Sequence, residues 1–364
     1  MTPRERFLKT LRFEEGDRIP TFTTLTPQVA QKLGDVLHLP LELEDSFLST
    51  RISHTQILLH LGNDAVAIGP GRGTHGATKV QEDGTCIDEF GLVYQRIGFY
   101  DEVIKRPLAE AETPEDILRY PLPSAFDPQR WVKAASQVEK YAPQYAIIGD
   151  LEATIFELSW NLVGMEKFLV DLVLEQPYVF TLLDRILEEY ALPCGQKMID
   201  LGIDILWAGD DFGTQKGMLI APEVFRKHFK PRYQYLFQTW KRSNPDLYIA
   251  YHSCGSVAPI IPDLWEIGLD ILNPIQPQAR EMDLAKLKKE WYGKLVLFGG
   301  VDEQTVLPFG SSRDVKEEVK RRIHAAGKGG GYIIAPSHNI QPDTPIENIL
   351  AYFEAIREFG QYPL

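Results

Sequence analysis

Cysteine is scarce in this chain. Only Cys86, Cys194 and Cys254 occur among 364 residues. So odd and sparse a set argues against a disulfide framework and for a reducing compartment. No uninterrupted apolar run approaches the roughly 20 residues of a membrane span. Residues 1–6 lack the apolar core of a secretion signal. A cytoplasmic protein with no membrane partner is the expectation. Basic charge is also in deficit, with 38 Lys and Arg against 51 Asp and Glu and a net charge of −13. That leaves no basic footprint for nucleic acid. No Gly-x-Gly-x-x-Gly follows the first apolar run at 19–23, which removes the best argument for a dinucleotide fold. The Gly-rich segment 69–73 lacks the Lys-Ser/Thr of a phosphate loop and reads as a turn.

What is present is a large apolar complement, 44% of residues, written in a regular order. Thr2-Pro3-Arg4-Glu5 is a capping box with Pro at the first helical position, and Thr344-Pro345-Ile346-Glu347 has the same form. Ser311 opens a further helix, with Val315, Val319 and Ile323 on one face. Between amphipathic stretches lie eight short apolar runs, at 19–23, 65–68, 145–149, 205–208, 248–251, 270–273, 296–299 and 332–335. Continuous rather than alternating runs suit parallel strands covered on both faces. Eight of them alternating with helices predict an α/β fold, a (β/α)8 TIM barrel in a single domain spanning 1–364. A doubly wound open sheet is the structural alternative. Residues 74–107 depart from the alternation. Asp83-Gly84 between short β-rich runs signals a hairpin, read as an inserted flap at the barrel mouth.

Catalytic groups of a barrel sit at the C-terminal ends of its strands. The residues just past the runs are Asp150 and Glu152, then Asp210 and Asp211, then His252 and Cys254, then Asn273, Asp302, and finally His338 and Asn339. Asp210, Asp211 and Asp302 could each cap the next helix, and Asn273 could serve a turn. Together they put carboxylates, a thiol and two imidazoles at one rim. Residues i and i+2 of a strand share a side, so His252 and Cys254 can converge. Imidazole with thiolate suits zinc better than magnesium or calcium. With His338 as a third ligand from across the mouth, one position of a catalytic zinc would remain open. Glu152 or Asp210 is a candidate fourth ligand, and His338 could instead contact a substrate. Asp210, Asp211, Asp302 and Glu152 are the candidate acids and bases. Trp207 and Tyr251, with Asn273 and Asn339, are candidate substrate contacts, and Phe22, Trp160 and Phe298 could help hold a ring.

Several motifs then carry a resemblance. They are Thr2-Pro3-Arg4-Glu5-Arg6-Phe7 with Asp17-Arg18-Ile19-Pro20, Gly209-Asp210-Asp211, His252-Ser253-Cys254-Gly255, Gly299-Gly300-Val301-Asp302, and the run 335–343. In these the chain resembles the uroporphyrinogen decarboxylase superfamily, and within it the cobalamin-linked methyltransferases. The resemblance implies zinc held by His-x-Cys and a later Cys, a corrinoid, and a homodimer. It also has gaps. The Met-Arg-Gln-Ala-Gly-Arg stretch of true uroporphyrinogen decarboxylases is replaced by Phe22-Thr23-Thr24-Leu25-Thr26-Pro27-Gln28, so porphyrinogen decarboxylation is not expected. His338 stands where the methyltransferases have their second Cys, which favours Lewis acidity over thiol activation. No Asp-x-His-x-x-Gly cobalamin segment is present, so the corrinoid is expected on a partner protein. The function implied is zinc-dependent transfer of a methyl group between a small methylated substrate, such as a methoxylated aromatic undergoing O-demethylation, and that corrinoid protein. The alternative is a metal-free decarboxylase or lyase acting on a small acid.

Overall fold

The computed structural model describes residues 1–43, 51–76, 78–98 and 100–364. Strand β1 (Ala65–Ile68) is followed by four short strands, β2 (Lys79–Val80), β3 (Cys86–Ile87), β4 (Val93–Ile97) and β5 (Tyr100–Lys105). Six more strands come later: β6 (Ala146–Ala153), β7 (Ile205–Gly209), β8 (Tyr248–His252), β9 (Ile271–Ile275), β10 (Val296–Val301) and β11 (Tyr332–Pro336). Strand β1 and the six later strands form one curled, seven-stranded parallel sheet in the order β1-β6-β7-β8-β9-β10-β11. Helices separate its strands, so the fold is α/β and TIM-barrel-like.

Seven of the eight expected runs are these strands. The first run, 19–23, is not a regular strand. Thr21 makes a single parallel bridge to Ile334 of β11, and Ile334 donates its N–H to the Pro20 carbonyl at 3.1 Å. On the other side Asp64, just before β1, donates its N–H to the Thr21 carbonyl at 2.9 Å. Pro20 has no N–H to give a ladder, and the Thr21 hydroxyl bonds the Ile334 carbonyl at 2.7 Å instead. The segment therefore occupies the place between the two edge strands with few ladder bonds of its own.

Alternate residues of the strands divide the core in two. One face carries Ala65, Ala67, Ile148, Ile205, Trp207, Ala250, Ile271, Val296, Phe298, Ile333 and Ala335, all buried in one cluster. The opposite face, with Val66, Ile68, Leu206, Ile249, Tyr251 and Leu297, packs on the surrounding helices in a larger cluster. The helix Pro3–Leu11 starts with the expected Thr2–Glu5 capping box and adds Phe7 and Leu11 to the inner cluster. It sits at the strands' N-terminal end, where Arg4 donates its N–H to the Gln144 carbonyl just before β6. That leaves the C-terminal end open for a site. The Ser311–Asp314 capping box is present. The box expected at Thr344 is not, because the helix Ile346–Phe359 starts from Pro345 without a side-chain cap and Thr344 is buried.

Between β1 and β6 the chain builds a second, antiparallel sheet in the order β2-β3-β4-β5. The Asp83-Gly84 turn joins β2 to β3, with Gly84 at φ 82°. Ala77 and Phe99, within the expected insertion, lie outside the described residues. No helix among the described residues is long and apolar enough to cross a membrane.

Candidate functional site

The C-terminal ends of β7 and β8 bring three donor groups together. His252 closes β8, in register with Gly209 of β7. Cys254 Sγ lies 3.4 Å from His252 Nε2, and Asp211 Oδ1 lies 3.6 Å from the same nitrogen. The Cys254 N–H donates to Asp211 Oδ1 at 2.8 Å, tying the two loops. All three donor atoms fall within 4.8 Å of one another. Gly213 and Gly255 make that approach feasible. A Cβ on Gly213 would stand 2.4 Å from the Cys254 carbonyl oxygen, and Gly255 holds φ +77°, which an L side chain rarely adopts.

Asn273, the middle residue of β9, places Oδ1 2.7 Å from His252 Nδ1. With Nδ1–H donating there, the Nε2 lone pair faces Cys254 and Asp211. Orientation of a ligating imidazole by an outer acceptor is the usual arrangement at metal sites. Burial, followed by the nearby Arg51 guanidinium, pushes the His252 pKa down to about 3, so the ring is neutral. Burial and then the Asp211 charge hold the Cys254 thiol well above its ordinary pKa.

A cleft of about 310 Å³, counting the part open to solvent, adjoins this group. Its walls include Phe22, Trp207 and Phe298, with Thr24, Arg51, His252, Asn273, His338 and Asn339. The three aromatic rings contact one another at centroid distances of 6.4, 6.3 and 5.4 Å. Arg51 lies over the Trp207 ring at 4.7 Å, pairs with Glu152, and stands 3.6 Å from Asp150. Glu152 reaches it from a left-handed backbone position, φ 55°, which is unusual for a side chain of its kind. Arg51 precedes β1 and no motif pointed to it.

The other candidates separate by environment. His338 lines the cleft with its ring 6.4 Å from that of His252, yet it is not one of the three clustered donors. Its side chain is open to the cleft, but the surrounding protein and then Arg51 still disfavour its cation. Asn339 accepts a hydrogen bond from Thr24. Asp210 is fully buried and accepts bonds from Thr154 Oγ1 at 2.5 Å, Ile155 N at 3.1 Å and Glu157 N at 2.6 Å, and from the Tyr233 hydroxyl. It fastens the start of the helix Phe156–Val163 and is not among the clustered donors. Asp302 accepts from the N–H groups of Gln304 and Thr305 at 2.8 and 3.0 Å, a turn role. Tyr251 does not line the cleft. Strand alternation sends it to the helix side, against Tyr233 at 5.3 Å and Phe237 at 6.2 Å.

Two carboxyls not anticipated from sequence stand near the donors. Glu157 is raised to about 8 by burial and then by the Asp211 and Asp210 charges. Glu303 is raised to about 8 by burial and then by Asp302 and Asp343, and one of its oxygens is buried without a hydrogen-bond partner among the described residues. Their signal is the environment, which spacing in the sequence does not report.

Residues 100–359, well over half of the chain, match the family model described as uroporphyrinogen decarboxylase. The chain belongs to the uroporphyrinogen decarboxylase family. Within it, the chain is 26% identical over 250 residues to the methylcobamide:CoM methyltransferase MtaA of Methanosarcina barkeri, covering 68% of each protein. It is 23% identical over 172 residues to the uroporphyrinogen decarboxylase of Crocosphaera subtropica, covering 47% of this chain and 43% of the relative. A solved structure, a methyltransferase from Methanosarcina mazei, shares the fold with a TM-score of 0.70 at 22% identity, covering 99% of each chain. The family member described here thus falls on the cobalamin-methyltransferase-like branch that its motifs resemble.

Proposed function

We propose that the protein is a corrinoid-linked methyltransferase that moves a methyl group between a small substrate in the cleft and a corrinoid carried by a partner protein. The observation that carries this reading is the convergence of Asp211, His252 and Cys254 beside an aromatic-walled cleft at the C-terminal strand ends. The donor set fits zinc. Imidazole nitrogen, thiolate sulfur and carboxylate oxygen are the three ligand types that zinc takes, and burial, then neighbouring acids, raises the Glu157 and Glu303 carboxyls beside them to about 8. Zinc held there by Asp211, His252 and Cys254 would supply Lewis acidity toward a substrate heteroatom.

The remaining work belongs to the chain. Asn273 holds the His252 tautomer, and Asp211 ties the two ligand loops. Phe22, Trp207 and Phe298 offer flat apolar surface to a substrate ring or methyl-bearing group. His338, neutral at pH 7, is placed on the same wall to hydrogen-bond the substrate heteroatom that parts from or receives the methyl group. Asp211 in place of His338 as third ligand alters the charge argument. Two anionic donors match the charge of a His-Cys-Cys set, so a thiol acceptor fits the site as well as a methoxylated aromatic donor does. The reading includes a closed (β/α)8 barrel in one domain, with the segment at Thr21 as the eighth stave and the antiparallel sheet as a flap beside the mouth. It includes a cytoplasmic setting, with which three unpaired cysteines agree.

The test is metal content by mass spectrometry, together with methyl transfer followed by the absorbance of cob(I)alamin and methylcobalamin. Methoxylated aromatics serve as donors and small thiols as acceptors. Stoichiometric zinc that is lost in His252→Ala and Cys254→Ala, with transfer to or from one substrate class, supports the reading. Absence of zinc, or of transfer with every substrate, sinks it. Arg51 in the cleft favours a second reading, a decarboxylase holding a small acid, which predicts carbon dioxide release with no corrinoid present.

A further inference from the structure

His338 lines the cleft with an exposed side chain, on the loop that follows β11. Gln341, three residues on and half-buried, is not part of the cleft wall. Its Nε2 donates to the Asn339 carbonyl at 2.9 Å and stands 3.4 Å from His338 Nδ1. The first bond orients the amide, because the flipped form would set two carbonyl oxygens against each other. An amide nitrogen carries two N–H groups and accepts nothing. One is spent on Asn339, and the other meets His338 Nδ1.

The Asn339 carbonyl also lies near the imidazole. A proton on Nδ1 aimed at that carbonyl would face the Gln341 amide donor to donor. With Nδ1 as the acceptor, both contacts of the amide are matched. Burial and then Arg51 disfavour the His338 cation. The neutral ring keeps a single N–H, and it falls on Nε2, the edge turned away from Gln341. His252, with its ring centre 6.4 Å away, has the opposite arrangement, since Asn273 holds its proton on Nδ1. The two imidazoles therefore differ in kind. His252 presents a lone pair and His338 presents a proton.

We propose that Gln341 is a positioning residue that fixes His338 as an Nε2–H donor toward the cleft, so that the substrate atom at this wall is a hydrogen-bond acceptor. An ether oxygen fits. A methylated ammonium ion, which has no lone pair, does not. The inference rests on the cleft as the substrate site of the proposed function, and it concerns recognition rather than transfer of the methyl group.

The experiment has two readouts on the full chain. Long-range proton–nitrogen NMR with nitrogen-15 in the imidazoles reports which nitrogen of His338 is protonated, its signals being those lost in His338→Ala. Calorimetric titration compares methoxybenzene with ethylbenzene, the same shape without the oxygen, and with phenyltrimethylammonium. The expected spectrum shows the proton on Nε2. In Gln341→Glu, whose carboxylate accepts, it moves to Nδ1. Methoxybenzene should bind about two- to tenfold more tightly than ethylbenzene, the worth of one net hydrogen bond, and Gln341→Glu should abolish that preference. A wild-type proton on Nδ1, or a folded Gln341→Glu variant with the wild-type tautomer, overturns the role of Gln341. Equal binding of methoxybenzene and ethylbenzene, or binding of the ammonium ion as tight as that of the ether, overturns the substrate class. Should the variant fail to fold, the wild-type spectrum and the wild-type titrations decide the matter. A chain that meets these expectations and transfers no methyl group sinks the transferase reading alone. A working transferase with its His338 proton on Nδ1 sinks only this inference.

Discussion

Replacing Asn273 by Ala tests how the candidate metal site is oriented. Asn273 Oδ1 is 2.7 Å from His252 Nδ1, and Arg51 Nη2 is 3.2 Å from the same atom. A guanidinium only donates, so Nδ1 cannot give its proton to Asn273 and accept from Arg51 at once. The shorter contact puts the proton on Nδ1 and frees Nε2 for a metal. His252 is 6% exposed, so water cannot readily replace the lost acceptor. An unmatched buried donor costs about 1–3 kcal/mol, equivalent to roughly 5- to 150-fold in affinity at 1.4 kcal/mol per tenfold. That range spans the roughly 10- to 100-fold typical of outer partners of metal-bound histidines. The assay is zinc affinity by competition with a chromophoric chelator, after a thermal melt has shown the variant folded. Asn273→Asp keeps an acceptor and should bind zinc at least as tightly as the wild type. An Ala variant within about twofold of wild type, or an Asp variant as weak as Ala, would refute the tautomer and with it the role of Nε2.

Other expectations follow from the same geometry. Asp211→Ala should lose most of its bound zinc, whereas His338→Ala should keep it and lose methyl transfer; the reverse pattern in metal analysis and turnover would restore His338 as the ligand. Asp210→Asn should lower stability by about 1–3 kcal/mol in urea unfolding, because a buried acceptor set is weakened, while zinc content stays intact. Glu303 has its folded pKa raised from 4.5 to about 8, so between those values the folded state holds a proton that the unfolded state has released. Stability of the chelator-treated protein should therefore fall as pH rises from 5 to 8, by at most about 1.4 kcal/mol per pH unit from this group. Glu303→Gln should flatten that slope, and an unchanged pH profile of the melts would contradict the assignment.

The strands could be read because parallel strands covered on both sides must be continuously apolar, and seven runs of that kind became the sheet. The stretch at Thr21 misled for a local reason, since Pro20 and the bonding threonines favour bridges over a ladder. His252 and Cys254 were legible because strand geometry fixes their shared side. The same rule assigns Tyr251 to the other side, so its expected place in the cleft conflicted with information already present. Asp210 and Asp211 show a real limit. Adjacent acids beyond a strand end diverge, one to a helix start and one to the site, and the loop path that sorts them is tertiary. Arg51 lies about two hundred positions before His252 and carries no motif. Only packing brings it to the Trp207 ring.

Because Arg51 arrives already seated between Glu152 and an indole, the acidic rim is born with a counter-charge of its own. On the proposed reading, chelator treatment should therefore leave the folded chain standing, since Arg51 already offsets the Glu152 charge.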